Sequence, residues 1–493
     1  MKPFAPFSCI GCVIFYFCAQ LSSIIQLNSK TMHHFSKQNL LLICLLVLLP
    51  LSCKEKINPD PIAYIPRLNL HPNDVVYDWN ELMLKVERYA NGFRPGPAVR
   101  AIAYLGLSDY EASLKGMPDY KSIASLLPGL NIPAIENDKQ YHWPTIINNS
   151  RAYLMPRLFP TATPEQFAAM AELEQYYNNK GMLSVVPEVY ERSKEYGKAV
   201  AEAVWEFSMS DMAGHNHFLD PFQGYQWQDH YSVNGDWKPT YPGPGKPIGG
   251  VWGNARTFVL QNNEKICPPP VPFSQDSASQ MYGQAFATYT NANETEVNYE
   301  NRWIGEFWSD DHLNLTFSNG LRWISIGDQV LKAEKSNLET AVLMTVKLGF
   351  ALCDASIASW HSKFYYNLER PQTYINRVIK PLWQPKLNNP LTGDTGISPS
   401  YPTYPSGHAT MAGAASKVLE DLFGNHYALS DRSHENRSEF VGTPRTFLSF
   451  SEMAQECANS RILLGVCFPM DVESGLTFGT GIGDKVIGFP WKN

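Results

Sequence analysis

Apolar side chains recur at every third or fourth position through most of this 493-residue chain, and runs that alternate at every second position are scarce. The first pattern is typical of helices with one buried face, whereas the second would indicate half-buried strands. The helical pattern is clearest over residues 78–115 and 162–215, where Thr163-Pro164 supplies a good helix start. Helices are predicted again from Ser277 to the C-terminus. The sequence therefore predicts an all-α fold, built as a large helical bundle.

Two segments interrupt the helical pattern. Residues 216–275 are rich in Pro, Gly and Trp, and they predict a long irregular segment on the surface. A segment of this length without secondary structure usually forms a functional loop or a cover. A second loop is predicted over residues 380–407. We divide the chain after the leader into an N-terminal helical region with its irregular cover, 54–275, and a catalytic helical domain, 276–493.

Composition excludes several classes of protein. The chain is 44% hydrophobic and 18% charged, which is ordinary for a globular protein and excludes a fibrous or disordered one. It holds 40 Lys and Arg against 47 Asp and Glu, so it lacks the basic footprint of a nucleic-acid-binding protein. Its 13% aromatic content suits an aromatic-lined pocket. We expect a small-molecule partner and no nucleic acid.

The first 53 residues resemble a leader rather than part of the fold. Lys37 precedes a short apolar run, Leu40–Leu49, and Leu-Ser-Cys53 follows it. This arrangement is typical of a bacterial lipoprotein signal that is cleaved before a cysteine, whose thiol is then lipidated. Met32 lies at a suitable distance to be the true start. We predict a protein anchored to the bacterial cell envelope through lipid on Cys53, facing the periplasm or the cell surface. A simple signal peptide and an uncleaved span are the alternatives.

The first motif that suggests chemistry pairs two cations. Lys363 and Arg370 are seven residues apart, after the strongly helical run 341–355. This spacing predicts that both lie on one helix face, with Pro371 ending the helix. Two such cations repel each other unless an anion lies between them, and the guanidinium fork of Arg370 suits an oxyanion. The alternative is a basic face in solvent.

The second motif lies where a Pro-rich loop meets a predicted helix at Ser406-Gly407-His408. The first N–H groups of a helix are unpaired and mark the positive end of its dipole. Gly407 lets a ligand approach the backbone closely, and His408 supplies a titratable imidazole. The motif therefore predicts an anion site, with a plain N-cap serine as the alternative.

The third motif comprises Arg461, Cys467 and Asp471. A capping-box pattern at Ser449 starts the helix that precedes it, so Arg461 is predicted to lie late in that helix. Gly465 is expected to end or bend the helix and to turn position 467 toward the same pocket.

Together the three motifs resemble those of the superfamily of vanadium-dependent haloperoxidases and type 2 phosphatidic acid phosphatases, in its bacterial haloperoxidase-like branch. The family patterns are Lys-x6-Arg-Pro, Pro-Ser-Gly-His and Ser-Arg-x5-His-x3-Asp. The chain matches the first two completely and the third except at one position, and the similarity extends over most of residues 80–490. The resemblance implies that a tetrahedral oxyanion, either a vanadate cofactor or the phosphate group of a substrate, is held by Lys363, Arg370, Ser406, Gly407 and Arg461.

The resemblance also implies that His408 is the acid–base group. The exception is Cys467, which replaces the histidine that bonds vanadium or attacks phosphorus in the family. Cationic neighbours are expected to shift this thiol toward thiolate, which could attack phosphorus but would be oxidised by peroxide. Asp471 would orient the usual histidine, yet a cysteine has no second N–H for it.

Three hypotheses follow. The first is a haloperoxidase-like enzyme that binds vanadate, uses peroxide and halide, and lacks the usual nitrogen ligand. The second is a phosphomonoesterase in which Cys467 or water is the nucleophile and His408 is the leaving-group acid. The third is a non-catalytic lipoprotein that binds an oxyanion.

Overall fold

Fourteen α-helices make up the fold over the residues that the structure, a computed structural model, describes, which are 66–240 and 245–493. These residues belong to one compact unit. The predicted leader, with Met32 and Cys53, lies outside the described residues. The helices of the first half are α1 (Asp74–Glu87), α2 (Pro97–Ser113), α3 (Trp143–Leu158), α4 (Pro164–Ser184), α5 (Pro187–Met209) and α6 (Met212–His215).

The second half contains eight helices and two short strands. The helices are α7 (Gln280–Thr295), α8 (Tyr299–Phe307), α9 (Asn319–Ala333), α10 (Leu338–Tyr366), α11 (Pro371–Val378), α12 (Gly407–Phe423), α13 (Phe450–Leu463) and α14 (Pro469–Ile487). The strands β1 (Leu429–Asp431) and β2 (Arg445–Phe447) pair antiparallel. The predicted all-α class is thus confirmed.

The two long helices predicted in the first half are each divided. The range 78–115 contains α1 and α2, because the chain turns at 88–96 and Pro97 then occupies the first turn of α2, where its missing N–H costs nothing. The range 162–215 contains α4, α5 and α6, and Pro187 begins α5 in the same way. Thr163 caps α4 with a complete capping box, as its sequence indicated.

The predicted irregular segment is confirmed, since residues 216–275 contain no α-helix in their described part. It packs on α10 through polar contacts with buried side chains. The carboxylate of Asp354 accepts the N–H groups of Phe258, Val259 and Leu260 at 2.7, 2.8 and 3.0 Å. Trp252 is fully buried and donates its indole N–H to Ser356 at 2.9 Å. The segment therefore packs against α10 and covers it, rather than forming a loop that extends into solvent.

The central element is α10, whose 29 residues are mostly buried. It is the one described helix that is long and apolar enough to cross a membrane, but its apolar stretch is entirely enclosed by the rest of the fold. Helix α2 crosses it at very close range. A Cβ added at Gly106 would lie 2.7 Å from the Cα of Val346, and one added at Gly349 would lie 2.7 Å from the Cα of Ala103. Glycine at both positions lets the two backbones touch.

Helices α12 and α14 cross just as closely beside α10. A Cβ at Gly479 would collide with the carbonyl of Thr410. This crossing brings the start of α14 against the start of α12, where the N–H of Ser406 donates to the carbonyl of Asp471 at 2.9 Å. The second and third sequence motifs therefore meet at one end of the bundle.

Candidate active site

The two cations of the first motif do not share a helix. Lys363 lies in the last turn of α10, which ends when Asn367 adopts left-handed geometry with φ of 48°. Arg370 is the N-cap of α11 and Pro371 is its first residue. The predicted common face was wrong, and Pro371 begins a helix rather than ending one. Asparagine tolerates left-handed geometry better than most residues, so it can end a helix without a glycine to mark the position.

The second motif has the predicted geometry. Ser406 is the N-cap of α12, and its Oγ accepts the N–H of Ala409 at 3.3 Å. The N–H groups of Gly407 and His408 have no intrahelical acceptor. A Cβ at Gly407 would lie 2.8 Å from the ring of Trp360, so glycine is needed where the helix start meets this indole.

The third motif also turns as predicted. Arg461 lies in the last turn of α13, and Gly465 follows with φ of 70°. The N–H groups of Val466 and Cys467 both donate to the carbonyl of Arg461, at 3.1 and 3.2 Å. This closed turn points residue 467 back toward the side chain of Arg461.

A cavity of about 220 Å³ lies where the three motifs meet. The predicted site residues on its wall are Lys363, Arg370, Ser406, Gly407, His408, Arg461 and Cys467. Asp471 lies behind the wall, fully buried. Trp360 and Tyr401 form an aromatic side of the cavity, with ring centroids 5.1 Å apart. The guanidinium of Arg370 lies 4.5 Å from the centroid of the Tyr401 ring, and burial raises the pKa of this tyrosine to about 12.

Two guanidinium nitrogens in this wall have no hydrogen-bond partner among the described residues. Arg370 donates through Nε to Tyr401 O at 2.6 Å and through Nη1 to Val466 O at 2.9 Å, but its Nη2 is unpaired. Arg461 donates through Nη2 to Asp311 at 2.9 Å, and its Nη1 is unpaired. Both side chains are buried. Because a buried donor without an acceptor costs about 1–3 kcal/mol, these nitrogens fit an anionic acceptor in the cavity.

Lys363 differs from the two arginines. Its ammonium donates to the carbonyls of Pro402, Thr403 and Pro405 at 3.2, 2.8 and 2.5 Å, which uses all three of its N–H bonds. Burial lowers its pKa, and the neighbouring Arg370 lowers it further. In this arrangement Lys363 contributes charge to the cavity rather than a free hydrogen bond.

His408 lies between a backbone carbonyl and a carboxylate. Its Nε2 is 3.2 Å from Ser309 O and 3.9 Å from Asp311 Oδ1. Burial, followed by the charge of Arg461, lowers the pKa of His408 to about 4. Burial alone would raise the pKa of Asp311, but the charge of Arg461 is the main effect that holds it below its ordinary value. His408 is therefore neutral at neutral pH and Asp311 is ionised.

The predicted shift of Cys467 toward thiolate was wrong. Burial raises the pKa of this thiol, the charge of Asp471 adds to the rise, and the opposing effects of Arg370, Lys363 and Arg461 are smaller. The thiol is 4% exposed and its Sγ makes no hydrogen bond within the described structure. The cations attract a thiolate, but the loss of hydration on burial is the larger effect.

Asp471 holds the loop before α12 in place. Its Oδ2 accepts the hydroxyl of Thr403 at 2.5 Å and the N–H of Phe468 at 2.7 Å. Its Oδ1 is buried without a partner. Burial raises the pKa of this carboxyl. The unpaired oxygen is what a missing N–H donor at position 467 would leave behind.

The sequence reasoning missed the acidic pair Asp310-Asp311. Asp310 accepts from His434 at 2.7 Å and from Arg322 at 3.1 Å, and Asp311 binds Arg461. His434 lies in the segment between β1 and β2 and is buried against Asp310. The available signal was the presence of two adjacent acids in the link between α8 and α9. Buried aspartates are nearly always paired, so their burial here goes with the partners Arg322, His434 and Arg461.

The chain is similar to known proteins in part of its sequence and in its fold. Residues 343–490 match the family model described as the VCPO second helical-bundle domain. The vanadium chloroperoxidase of Curvularia inaequalis is 27% identical over 138 residues, 24% of this chain and 22% of that protein. The match thus spans about a fifth of the length of that curated relative.

Solved structures resemble the chain over most of its length. The crystal structure of a bacterial vanadium-dependent iodoperoxidase superposes with a TM-score of 0.73 and 25% identity, covering 88% of this chain and 98% of that one. A holo-type bacterial vanadium-dependent chloroperoxidase superposes with a TM-score of 0.60 and 15% identity, covering 86% and 98%. The second similarity concerns the fold alone.

Proposed function

Because the chain belongs to the superfamily of vanadium-dependent haloperoxidases and type 2 phosphatidic acid phosphatases, we propose that its cavity binds a tetrahedral oxyanion, vanadate or phosphate. We call the proposed binding residues the oxyanion pocket. They are Lys363, Arg370, Ser406, Gly407 and Arg461.

The observation that best supports this proposal is the pair of unpaired guanidinium nitrogens, Arg370 Nη2 and Arg461 Nη1, buried on one cavity wall. The N-terminus of α12 adds unpaired N–H groups and a positive dipole end. Of the two acids on the wall, Asp311 pairs with Arg461, and Asp310 shares Arg322 with Asp431. Arg370 forms no ion pair among the described residues and donates only to backbone carbonyls, so its charge is available to an oxyanion.

The same residues fit vanadate only in part. Its oxygens would find the same donors as those of phosphate, but position 467 offers a neutral thiol where a nitrogen ligand is expected. Bound vanadate would supply a Lewis-acidic centre for the oxidation of halide by peroxide. His408 would exchange a proton with a group in the cavity, and Trp360 and Tyr401 would exclude water from one side. We propose that halide oxidation by the natural chain is weak.

A phosphomonoesterase with Cys467 as nucleophile is the less favoured alternative. The raised pKa of Cys467 keeps the thiol protonated, and the thiolate is the nucleophilic form. The lowered pKa of His408 leaves little imidazolium to protonate a leaving group at neutral pH. Two other hypotheses remain to be tested by assay: hydrolysis of a phosphate ester with water as the nucleophile, and oxyanion binding without catalysis.

Calorimetric titration with inorganic phosphate and with vanadate tests the proposal. Arg461→Ala combined with Asp311→Asn removes the cation without leaving an unpaired buried carboxylate, and should weaken both affinities at least about tenfold, 1.4 kcal/mol. Arg461→Lys keeps the charge but loses the fork, so an intermediate loss is expected. Arg432→Ala is the control, because that arginine is exposed and pairs with Glu435 outside the cavity. Equal affinities in all four proteins would contradict the proposal.

A further inference from the structure

The cavity has a second polar wall that the oxyanion pocket does not use. Arg94, Ser318 and Asn319 line it together. Arg94 comes from the turn between α1 and α2, while Ser318 is the N-cap of α9 and Asn319 its first residue. None of the three belongs to the motifs that predicted the oxyanion pocket.

A single buried carboxylate holds these residues together. Glu87 is fully buried, and its Oε2 accepts the N–H of Ser318 at 2.9 Å and Arg94 Nη2 at 3.3 Å. Arg94 Nε donates to Glu87 Oε1 at 3.2 Å, and Arg94 Nη2 also donates to Thr316 O. The guanidinium is therefore fixed beside the start of α9 by three hydrogen bonds.

Several donors remain free at this point. Arg94 Nη1 and Ser318 Oγ are buried without a partner. The amide of Asn319 makes no hydrogen bond in the described part of the chain, although the residue is only 8% exposed. Ser318 is 2% exposed and does not cap α9 with its hydroxyl, which leaves the first N–H groups of that helix open. The three residues line the cavity, where an acceptor would find these unpaired donors.

The charge balance indicates which acceptor fits. Glu87 neutralises Arg94, so this wall has a helix dipole and neutral donors but no excess full charge. A dianion would prefer the oxyanion pocket, whereas a monoanion can be stabilised by several hydrogen bonds at a helix start. Leu387, Ile397 and Val466 line the same cavity and supply apolar surface. The combination suits a carboxylate carried on an apolar organic body.

We propose that Arg94, Ser318 and Asn319 form a carboxylate subsite, which anchors an organic carboxylic acid whose other end lies at the oxyanion pocket. The proposal rests on the proposed function for the position of that reacting end. It assigns to the N-terminal helical region a part in substrate selection, because Arg94 belongs to that region.

Phosphonates with and without a carboxylate test the subsite by calorimetry. The probes are phosphonoacetate, 3-phosphonopropionate and 6-phosphonohexanoate, each compared with the alkylphosphonate that lacks the carboxylate. At least one of the three carboxylate-bearing phosphonates should bind the natural chain about tenfold more tightly than its matched alkylphosphonate. The gain should vanish in Asn319→Asp, since a like charge repels the carboxylate, and should shrink in Ser318→Ala. Inorganic phosphate should bind the natural chain and Ser318→Ala equally, and Asn319→Asp should weaken phosphate less than it weakens the carboxylate-bearing probes.

Both variants are expected to fold. Ser318 Oγ makes no bond, and an aspartate in the first turn of α9 favours the helix dipole. Asn298→Asp, at the exposed N-cap of α8, controls for the added charge. A gain that persists in Asn319→Asp, or no gain with any carboxylate, would overturn the proposal.

The two proposals can fail separately. If neither inorganic phosphate nor vanadate binds the natural chain, the proposed function fails. The subsite is then measured with hexanoate alone, which should bind the natural chain and Asn298→Asp but not Asn319→Asp. Equal hexanoate binding by all three proteins would overturn the subsite.

Discussion

Three buried atoms without partners lie around the oxyanion pocket and define its chemistry at the scale of single residues. Arg370 Nη2 and Arg461 Nη1 are donors, and Asp471 Oδ1 is an acceptor. An oxyanion would satisfy the two donors. It would not satisfy Asp471, whose free oxygen needs an N–H, and a cysteine at position 467 has none to offer. We propose that a nitrogen donor at position 467 would supply the N–H that Asp471 lacks.

Cys467→His should raise bromide oxidation above the weak or absent activity of the natural chain. The imidazole restores a nitrogen donor toward the cavity, and its second N–H can bind Asp471 Oδ1. The assay follows bromination by peroxide after incubation with vanadate.

Cys467→Ser is the matched control, because it changes the thiol without adding nitrogen. Cys467→His combined with Asp471→Asn should lose most of the gain, since the carboxylate that orients the imidazole is removed. Rapid bromination by the natural chain would show that the nitrogen ligand is dispensable. If Cys467→Ser abolishes phosphate-ester cleavage and Cys467→His does not raise bromination, Cys467 is instead identified as a nucleophile.

The affinity for sulfate should rise as the pH falls toward about 4, the lowered pKa of His408. A dianion favours the imidazolium, so binding raises this pKa and takes up a proton between the free and bound values. By linkage, affinity increases with falling pH in that window and becomes constant below it. Three other charged groups also act on the pKa of His408: the charge of Arg461 lowers it, and those of Asp311 and Asp310 raise it.

His408→Gln should remove this part of the pH dependence. Lys363 also gains charge as the pH falls, but at higher pH, and His408→Gln leaves that component in place. His361→Gln is the control, because His361 lies on the same helix as Lys363 but outside the cavity wall. Titrations of sulfate over a pH series measure the slopes. An unchanged slope in His408→Gln would refute the assignment.

The sequence predicted which residues meet in the cavity but not their ionisation. Motif order and the resemblance were enough to bring Lys363, His408 and Arg461 together. The state of Cys467 depends on how far burial outweighs three nearby cations, and burial is a property of the packed fold rather than of the local sequence. Arg94 was missed for a related reason, since its position depends on a contact with Thr316, 222 residues later in the chain.

At the scale of helices, starts were easier to predict than ends. Thr163, Ser406 and Ser449 each accept an N–H of the first turn, as their sequence patterns indicated. The end of α10 was missed because Asn367 rather than glycine adopts the left-handed geometry. Lys363 and Arg370 consequently approach the cavity from two helices, which allows them to lie beside one anion without a shared helix face.

Gly106→Ala should destabilise the protein by about 1–3 kcal/mol, although alanine is the better helix former. The added methyl would lie 2.7 Å from the Cα of Val346 where α2 crosses α10. Gly283→Ala is the matched control, because it lies within α7 with no atom within 4 Å of the added Cβ. That variant should gain about 0.5–1 kcal/mol. Thermal unfolding of both variants and of the natural chain measures these changes in stability. Equal shifts in Tm for the two variants would contradict the prediction.

At the scale of the whole molecule, the cavity is built from distant parts of the chain. The oxyanion pocket lies within 276–493, while Arg94 comes from 54–275, and the irregular segment covers α10. The division at residue 275 remains a prediction about organisation. The fold as a whole was predictable because helical periodicity persists over most of the sequence, whereas the packing of α2 into the catalytic half depends on two glycines that no periodic pattern reveals.

Attachment to a membrane is expected to depend on Cys53. The described helix that could span a membrane by length and composition, α10, is enclosed in the fold, so we propose that the anchor is lipid on the cysteine that follows the Leu40–Leu49 run. Two acyl chains on one cysteine give stable attachment, where a single chain gives only marginal binding. Natural chain expressed in a bacterium should partition into the detergent phase and incorporate labelled palmitate.

Cys53→Ser should lose the palmitate label and leave the detergent phase, because no thiol remains to be lipidated. Cys44→Ser is the matched control, since it changes a cysteine inside the apolar run and should leave both measurements unchanged. The mass of the mature N-terminus then distinguishes cleavage before Cys53 from an uncleaved leader. Met32→Ala tests whether translation starts at Met32, because expression should then be lost. Equal membrane retention of Cys53→Ser and the natural chain, without palmitate in either, would show that the apolar run itself spans the membrane.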